Sequence, residues 1–356
     1  MPLKKAPIVM RQGVARFVVP KNPMNKKSHR SFLAALVLVF AVLSPVARGR
    51  CASDAPVAGE VKLLTIGNSF ADDSTFFLPQ FAKADGKMLV VFSANLGGHS
   101  LEQHVGYLKA FEADSADPKG SPYKNKTDPQ TGKKRDFSLR GALESAPWDY
   151  VTIQQVSTKS FKPETFEPYA GILVDYIHKY APTAKVLVLQ TWAYRQDHPL
   201  LAQEHLTQQS MFEGLRSAYA QLAKRYGLQI LPVGEAMQAA RALPRWTFSP
   251  DPNFDYANPK PGTLPLETGS LNRGWSWSKD AASGKASFVL DAKHCNPAGR
   301  FLAASVLYEF LFSKVRDNPF LPPDLTAEDA AELRRIAQEA VAANAGSAKA
   351  AATPAP

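Results

Sequence analysis

The chain has 356 residues, 45% of them hydrophobic, enough for one large core or two of ordinary size, and its two cysteines exclude a disulfide-dense scaffold. The net charge of +10 invites a nucleic-acid or membrane reading, but ten of the 42 basic residues crowd into the first 50 positions, which hold no Asp or Glu. The rest balances at 32 basic against 32 acidic residues, so no electrostatic case for a nucleic-acid partner remains.

Residues 1–50 have the parts of a secretory leader. Residues 24–30 are basic, 32–43 form an unbroken apolar run, and 44–49 supply small residues, with Ala47-Arg48-Gly49 a cleavage site. The run is shorter than the ~20 residues of a spanning helix. A secreted or periplasmic protein with no stable membrane span after cleavage is therefore expected, an uncleaved anchor being the alternative. Residues 1–23 read as an upstream extension before a start at Met24, and 51–60 as the first mature segment. Cys51 lacks the residues expected before a lipidated cysteine.

Working structure begins at 61–67. This β-branched, apolar run ends abruptly in Gly67-Asn68-Ser69, then passes into a stretch with Phe76, Phe77, Phe81 and Ala84 at helical spacing. A strand, a sharp turn and a helix are expected. A second strand covers 87–93 and leads through Asn95-Leu96-Gly97-Gly98-His99-Ser100 to a helix marked by Leu101, Val105, Leu108 and Phe111. Polar residues 112–137 read as a surface loop. Then come a brief helix (139–145), a third strand (149–154), a helix (168–180), a fourth strand (185–191), one long helix (200–226), a fifth strand (228–233) and a short helix (234–243).

Residues 244–285, rich in Pro, Asn, Gly, Trp and Ser, are too long for a bare connector and are expected to cap the substrate side. An extended piece (287–290) precedes helices over 297–312 and 326–343, and the Ala-rich residues 344–356 read as a disordered tail. Five strand–helix alternations predict one α/β domain over 61–343: a three-layer α/β/α sandwich on a five-stranded, mostly parallel, flavodoxin-like sheet.

Ser69 stands where a strand ends beside a helix N-terminus, a place that favours developing negative charge. It can be a nucleophile or merely the helix cap. Acyl transfer by serine also needs a base, a group fixing that base, and donors for the oxyanion. Asp291-x-x-His294 lies in a turn between the last extended piece and a helix, so the carboxylate can reach Nδ1 while Nε2 faces outward. Gly97 and Gly98 follow the second strand, where bare backbone can approach a ligand; an ordinary tight turn is the alternative. Gln154 and Gln155 end the third strand, where a side-chain amide can donate to the same oxyanion or simply be polar. Ser100, in Gly98-His99-Ser100, has Glu102 in place of the second glycine of a nucleophile elbow. His99, Glu102 and His104 are spaced poorly for zinc, and no cofactor fingerprint occurs, so neither metal nor cofactor is expected. Cys295 reads as a packed neighbour of His294.

Gly67-Asn68-Ser69-Phe70 resembles the first block of the SGNH (GDSL-type) hydrolases, Gly97-Gly98 the second and Asp291-Ala292-Lys293-His294 the fifth. The segments at 148–155, 190–194 and 294–303 are similar to those of an uncharacterised bacterial branch of that superfamily. The resemblance implies a carboxylic ester hydrolase with Ser69 as nucleophile, His294 as base, Asp291 as its orienter, and an oxyanion hole from the N–H groups of Ser69 and Gly98 or Gly97. Asn68 stands where many members have Asp, and Gln154-Gln155-Val156-Ser157 where Gly-x-Asn-Asp is usual. The expected substrate is an acyl ester, O-acetyl above all, on a small molecule or polysaccharide. Asn68, Trp192 and Tyr194 are its expected contacts, with Trp246, Trp275 and Trp277 as further aromatics for sugar rings. A non-catalytic glycan-binding protein, or a lipase or thioesterase, is the alternative.

Overall fold

The structure, a computed structural model, describes residues 59–280 and 283–352, with side chains through residue 345. The expected leader (1–50), Cys51 and most of the first mature segment lie outside the described residues.

In chain order the elements are β1 (Val61–Gly67), α1 (Ser69–Thr75), α2 (Leu78–Ala84), β2 (Leu89–Asn95), α3 (Leu101–Ala113), β3 (Tyr123–Thr127), β4 (Lys134–Phe137), α4 (Leu139–Leu143) and β5 (Tyr150–Ile153). They continue with α5 (Tyr169–Tyr180), β6 (Lys185–Leu189), α6 (Pro199–Gln203), α7 (Gln208–Tyr226), β7 (Gln229–Leu231) and α8 (Val233–Arg241). The chain closes with β8 (Trp275–Lys279), β9 (Ala286–Leu290), α9 (Pro297–Phe312) and α10 (Ala327–Ala352).

Five strands form the central sheet in the order β2-β1-β5-β6-β7, every pair parallel. Leu63, Leu64, Ile66, Val151, Ile153, Val188 and Leu189 are buried, as befits strands covered on both faces. Helices α3, α4, α5 and α7 pack together on one face, and α1, α2, α8, α9 and α10 on the other. Helix α9 is apolar nearly all round because it is enclosed. The chain leaves β1 for β2 on one side and returns to β5 on the other. That reversal opens a crevice at the carboxyl ends of β1 and β5, where open α/β sheets bind ligands. Ser69 sits there.

The expected three-layer sandwich is observed, with local differences. Residues 112–137 are not a plain loop but carry the β3–β4 hairpin, whose turn is held by Asp128 accepting the N–H groups of Gln130 and Thr131 and pairing with Arg135 at 2.8 Å. The long helix expected over 200–226 is two, because Thr207 and Ser210 form a capping box that starts α7 afresh. Residues 244–285 contribute β8, which pairs with β9 in a second hairpin. The last helix runs on to Ala352 rather than stopping near 343. Among the described residues no helix is long and apolar enough to cross a membrane.

Candidate active site

The turn after β1 shows which residue caps the helix. Asn68 is the cap: its Oδ1 accepts the Phe70 N–H at 3.1 Å. Ser69 is thereby the first residue of α1, its hydroxyl free to point elsewhere, and Oγ lies 2.8 Å from His294 Nε2. Behind the imidazole, Nδ1 lies 2.8 and 3.0 Å from the two Asp291 oxygens, and Asp291 Oδ1 also accepts the His294 N–H at 3.1 Å.

These partners assign the tautomer. An ionised carboxylate only accepts, so Nδ1 carries the proton and Nε2 accepts from the Ser69 hydroxyl. Burial pushes the Asp291 carboxyl up, but the two hydrogen bonds from His294 outweigh it and hold the group at about 2. Residues 225 positions apart are thus joined in a serine–histidine–aspartate relay.

Leu96 N–H bonds the Gly67 carbonyl at 3.0 Å, and Asn68 Nδ2 bonds the His99 carbonyl at 3.0 Å. The Gly97–Gly98 turn is so drawn against the serine. Gly98 has φ of +71°, a conformation that suits glycine, and its Cα faces open space. The N–H groups of Ser69 and Gly98 donate to no acceptor among the described residues, which leaves both available to an oxyanion. His99 braces the turn, with Nδ1 donating to the Gly97 carbonyl at 2.8 Å and Nε2 accepting from Tyr107 at 2.9 Å.

Gln155 is not an oxyanion donor, and one N–H of Gln154 is already engaged. Gln154 Nε2 donates to Asn68 Oδ1 at 2.9 Å, which orients the cap. Gly67 makes room for it, since a Cβ there would lie 2.6 Å from the Gln154 side chain. Gln155 is buried, with Oε1 accepting from the N–H groups of Leu101 and Val156 and Nε2 donating to Thr165. Nor are Trp192 and Tyr194 substrate contacts; both are buried. Trp192 stacks on Phe70 at 4.3 Å and donates Nε1 to the Lys293 carbonyl, and Tyr194 bonds Ser157 at 2.7 Å. They form the floor under the histidine loop. Asn68 is equally buried and acts on backbone. Trp246 is buried against Glu332, and Trp275 and Trp277 pack on Phe288 within the β8–β9 hairpin. Ser100 merely caps α3.

Sequence reasoning missed the anchors of the histidine loop. Asp73 accepts the Cys295 N–H, Asn272 Nδ2 reaches the Lys293 carbonyl, and Arg273 N–H reaches the His294 carbonyl. Arg273 Nη1 also lies 3.8 Å from Asp291, so the 244–285 segment flanks the site. Adjacent aspartates early in α1 were the signal for Asp73, but nothing local told which one turns inward.

A DUF4886 family protein from Bacteroides uniformis is similar in structure, with a TM-score of 0.61 at 24% identity, covering 80% of this chain and 95% of that one. It shares the fold. A Slackia heliotrinireducens protein provisionally assigned as an SGNH hydrolase is 19% identical, with a TM-score of 0.42 over 70% of this chain and 98% of its own. A Parabacteroides merdae protein provisionally assigned as a GDSL-like lipase is 13% identical, with a TM-score of 0.39 over 72% and 97%. Comparison with curated proteins gives no match. The family model described as "Domain of unknown function (DUF4886)" matches residues 62–247, just over half the chain and including Ser69 and the Gly97–Gly98 turn. On that match the chain belongs to the DUF4886 family.

Proposed function

We propose that the protein is a secreted or periplasmic serine ester hydrolase that forms an acyl-enzyme on Ser69. The observation that carries this reading is the 2.8 Å contact between Ser69 Oγ and His294 Nε2, with Asp291 on the far nitrogen. In the first half-reaction His294 takes the hydroxyl proton as Oγ attacks the ester carbonyl. The N–H groups of Ser69 and Gly98 hold the oxyanion, and the alcohol leaves with the proton from His294. Water then attacks the acyl-enzyme, with His294 again as base. Asp291 stays ionised and steadies the imidazolium.

The acyl group is acetyl-sized and the alcohol a carbohydrate hydroxyl. Of two described cavities, one borders the site through Arg273, and neither is lined by the serine–histidine pair. A cleft of about 430 Å³ is lined by Gln190, Glu235 and Ala340, and a groove of about 510 Å³ by Trp246, Trp275 and Asn296. The carbohydrate alcohol is what the resemblance to SGNH-type motifs implies. Purified protein is expected to turn over p-nitrophenyl acetate faster than longer-chain esters and to take a fluorophosphonate adduct on Ser69. Ser69→Ala is expected to lose both, with turnover down at least about 10³-fold. Equal turnover by the two proteins would remove Ser69 from the chemistry. Polysaccharide binding without any adduct would favour a non-catalytic glycan-binding role.

A further inference from the structure

Asp73 lies four residues after Ser69 on α1, hence on the same side of the helix, and is 3% exposed. Its Oδ2 accepts the Cys295 N–H at 2.8 Å. Its Oδ1 accepts Arg300 Nε at 2.7 Å, with Nη2 also 2.7 Å away. Arg300 sits near the start of α9, its guanidinium over the Phe76 ring at 4.1 Å. One carboxylate therefore ties the nucleophile's helix to the residue after the catalytic histidine and to the helix that follows.

Two hydrogen bonds run side by side from α1 to the histidine loop. Ser69 to His294 spans 225 positions and Asp73 to Cys295 spans 222. Their anchors on α1 are about one helical turn, ~5.4 Å, apart. The loop's other bonds come from different directions: Trp192 and Asn272 to the Lys293 carbonyl, Arg195 N–H to the Ala292 carbonyl, and Arg273 N–H to the His294 carbonyl. Those fix the loop to the β6 side and to the hairpin. Asp73 is what fixes it to the helix that carries the serine.

We propose that Asp73, held by Arg300, is a positioning residue that sets the spacing of Ser69 and His294. The proposal rests on the acyl-enzyme reading. The Asp73 carboxylate bonds neither the Ser69 hydroxyl nor the His294 ring. A buried ion pair often contributes little net stability, so its value here lies in placement. A displacement of the order of 1 Å between reacting groups costs about 100-fold in rate.

The test compares wild type, Asp73→Asn and Arg300→Lys in p-nitrophenyl acetate turnover and in fluorophosphonate labelling, followed to its endpoint by intact mass. In Asp73→Asn, kcat and the labelling rate constant are expected to fall together by about 10- to 100-fold, with KM little changed and labelling still complete at the endpoint. Arg300→Lys keeps the carboxylate and a positive charge but not the two-nitrogen contact, and is expected to fall less. A merely structural role would lower the fraction of chains that label and leave the rate constant of the labelled chains at the wild-type value; that result overturns the proposal. Should Asp73→Asn not fold, a wild-type rate constant in Arg300→Lys overturns it equally. An unreactive wild type refutes the acyl-enzyme reading itself, whereas a reactive wild type beside equally reactive variants refutes only the role of Asp73.

Discussion

Replacing Asn68 by Asp would scarcely change the side chain's shape, yet it would remove the donor that reaches the His99 carbonyl at 3.0 Å. The new oxygen would face that carbonyl in a site only 1% exposed, while the acceptor for Phe70 and Gln154 would persist. The helix should therefore still start, but the Gly97–Gly98 turn should lose its tether to the serine. Losing one oxyanion donor outright costs about 10²–10³ in turnover, which is the ceiling for Asn68→Asp. A drop in kcat of at least about tenfold, with the protein still folded by circular dichroism, is the expected outcome.

Asp291→Asn should be harsher, about 10⁴-fold, because an amide can donate to Nδ1 and select the wrong tautomer. The sign of the pH effect follows from the depressed Asp291 pKa. Its folding contribution is complete above the ordinary carboxylate range near 4 and is lost as pH falls through about 2. The acid limb of the wild-type activity profile accordingly does not belong to Asp291. Ser69, Asp291 and His294 were legible because each sits at a strand end or turn marked by its neighbours. Gln154 and Asp73 were not, because bonds spanning 86 and 222 positions leave no local signature.

At the scale of elements, the central strands were readable within a few residues because runs buried on both faces are continuously apolar. The β3–β4 hairpin was not, since Lys124, Asn125, Lys134, Arg135 and Asp136 face solvent and mimic a polar loop. The 244–285 segment hid its order for a different reason: its organiser is ionic. Arg195, with its side chain 2% exposed, forms two-pronged contacts with Asp197 and Glu267, all four distances 2.7–2.8 Å, and lies over the Phe248 ring at 3.9 Å. Glu267 belongs to the segment and Arg195 to the loop after β6, so this pair clamps one to the other. Removing one partner of a buried pair typically costs 3–5 kcal/mol, and Asp197 would still offset part of it. Glu267→Ala should thus lower stability by about 2–3 kcal/mol in urea unfolding. A loss under about 0.5 kcal/mol, the range of ordinary surface changes, would show that the segment is held by other means.

At the scale of the whole molecule, His104 joins three parts of the fold at one buried imidazole. Nε2 donates to the Gly67 carbonyl at the end of β1, and Nδ1 accepts from the Tyr123 hydroxyl in β3, each at 2.9 Å. The ring itself belongs to α3. A carbonyl cannot donate, so Nε2 carries a proton, and burial keeps the ring neutral with Nδ1 free to accept. Burial pulls its pKa down to about 4, the Gly67 bond opposing and His99 adding to the fall. In the unfolded chain the same ring titrates near 6.5. The unfolded state therefore takes up the proton first as pH drops. The His104 contribution is whole above about 6.5, declines through the interval, and is gone below about 4. The shift corresponds to about 3 kcal/mol. His198, half-buried and also lowered by desolvation, adds a smaller loss of the same sign, whereas Asp291 does not titrate until lower pH. Urea unfolding at pH 7.5, 5.5 and 4 should show wild type losing about 3 kcal/mol more than His104→Gln, whose amide can still donate to Gly67 but binds no proton. Parallel curves for the two proteins would mean that the imidazole is protonated as readily inside the fold as outside. The link through His104 between β1 and the β3–β4 hairpin would then be far wetter than its surroundings imply.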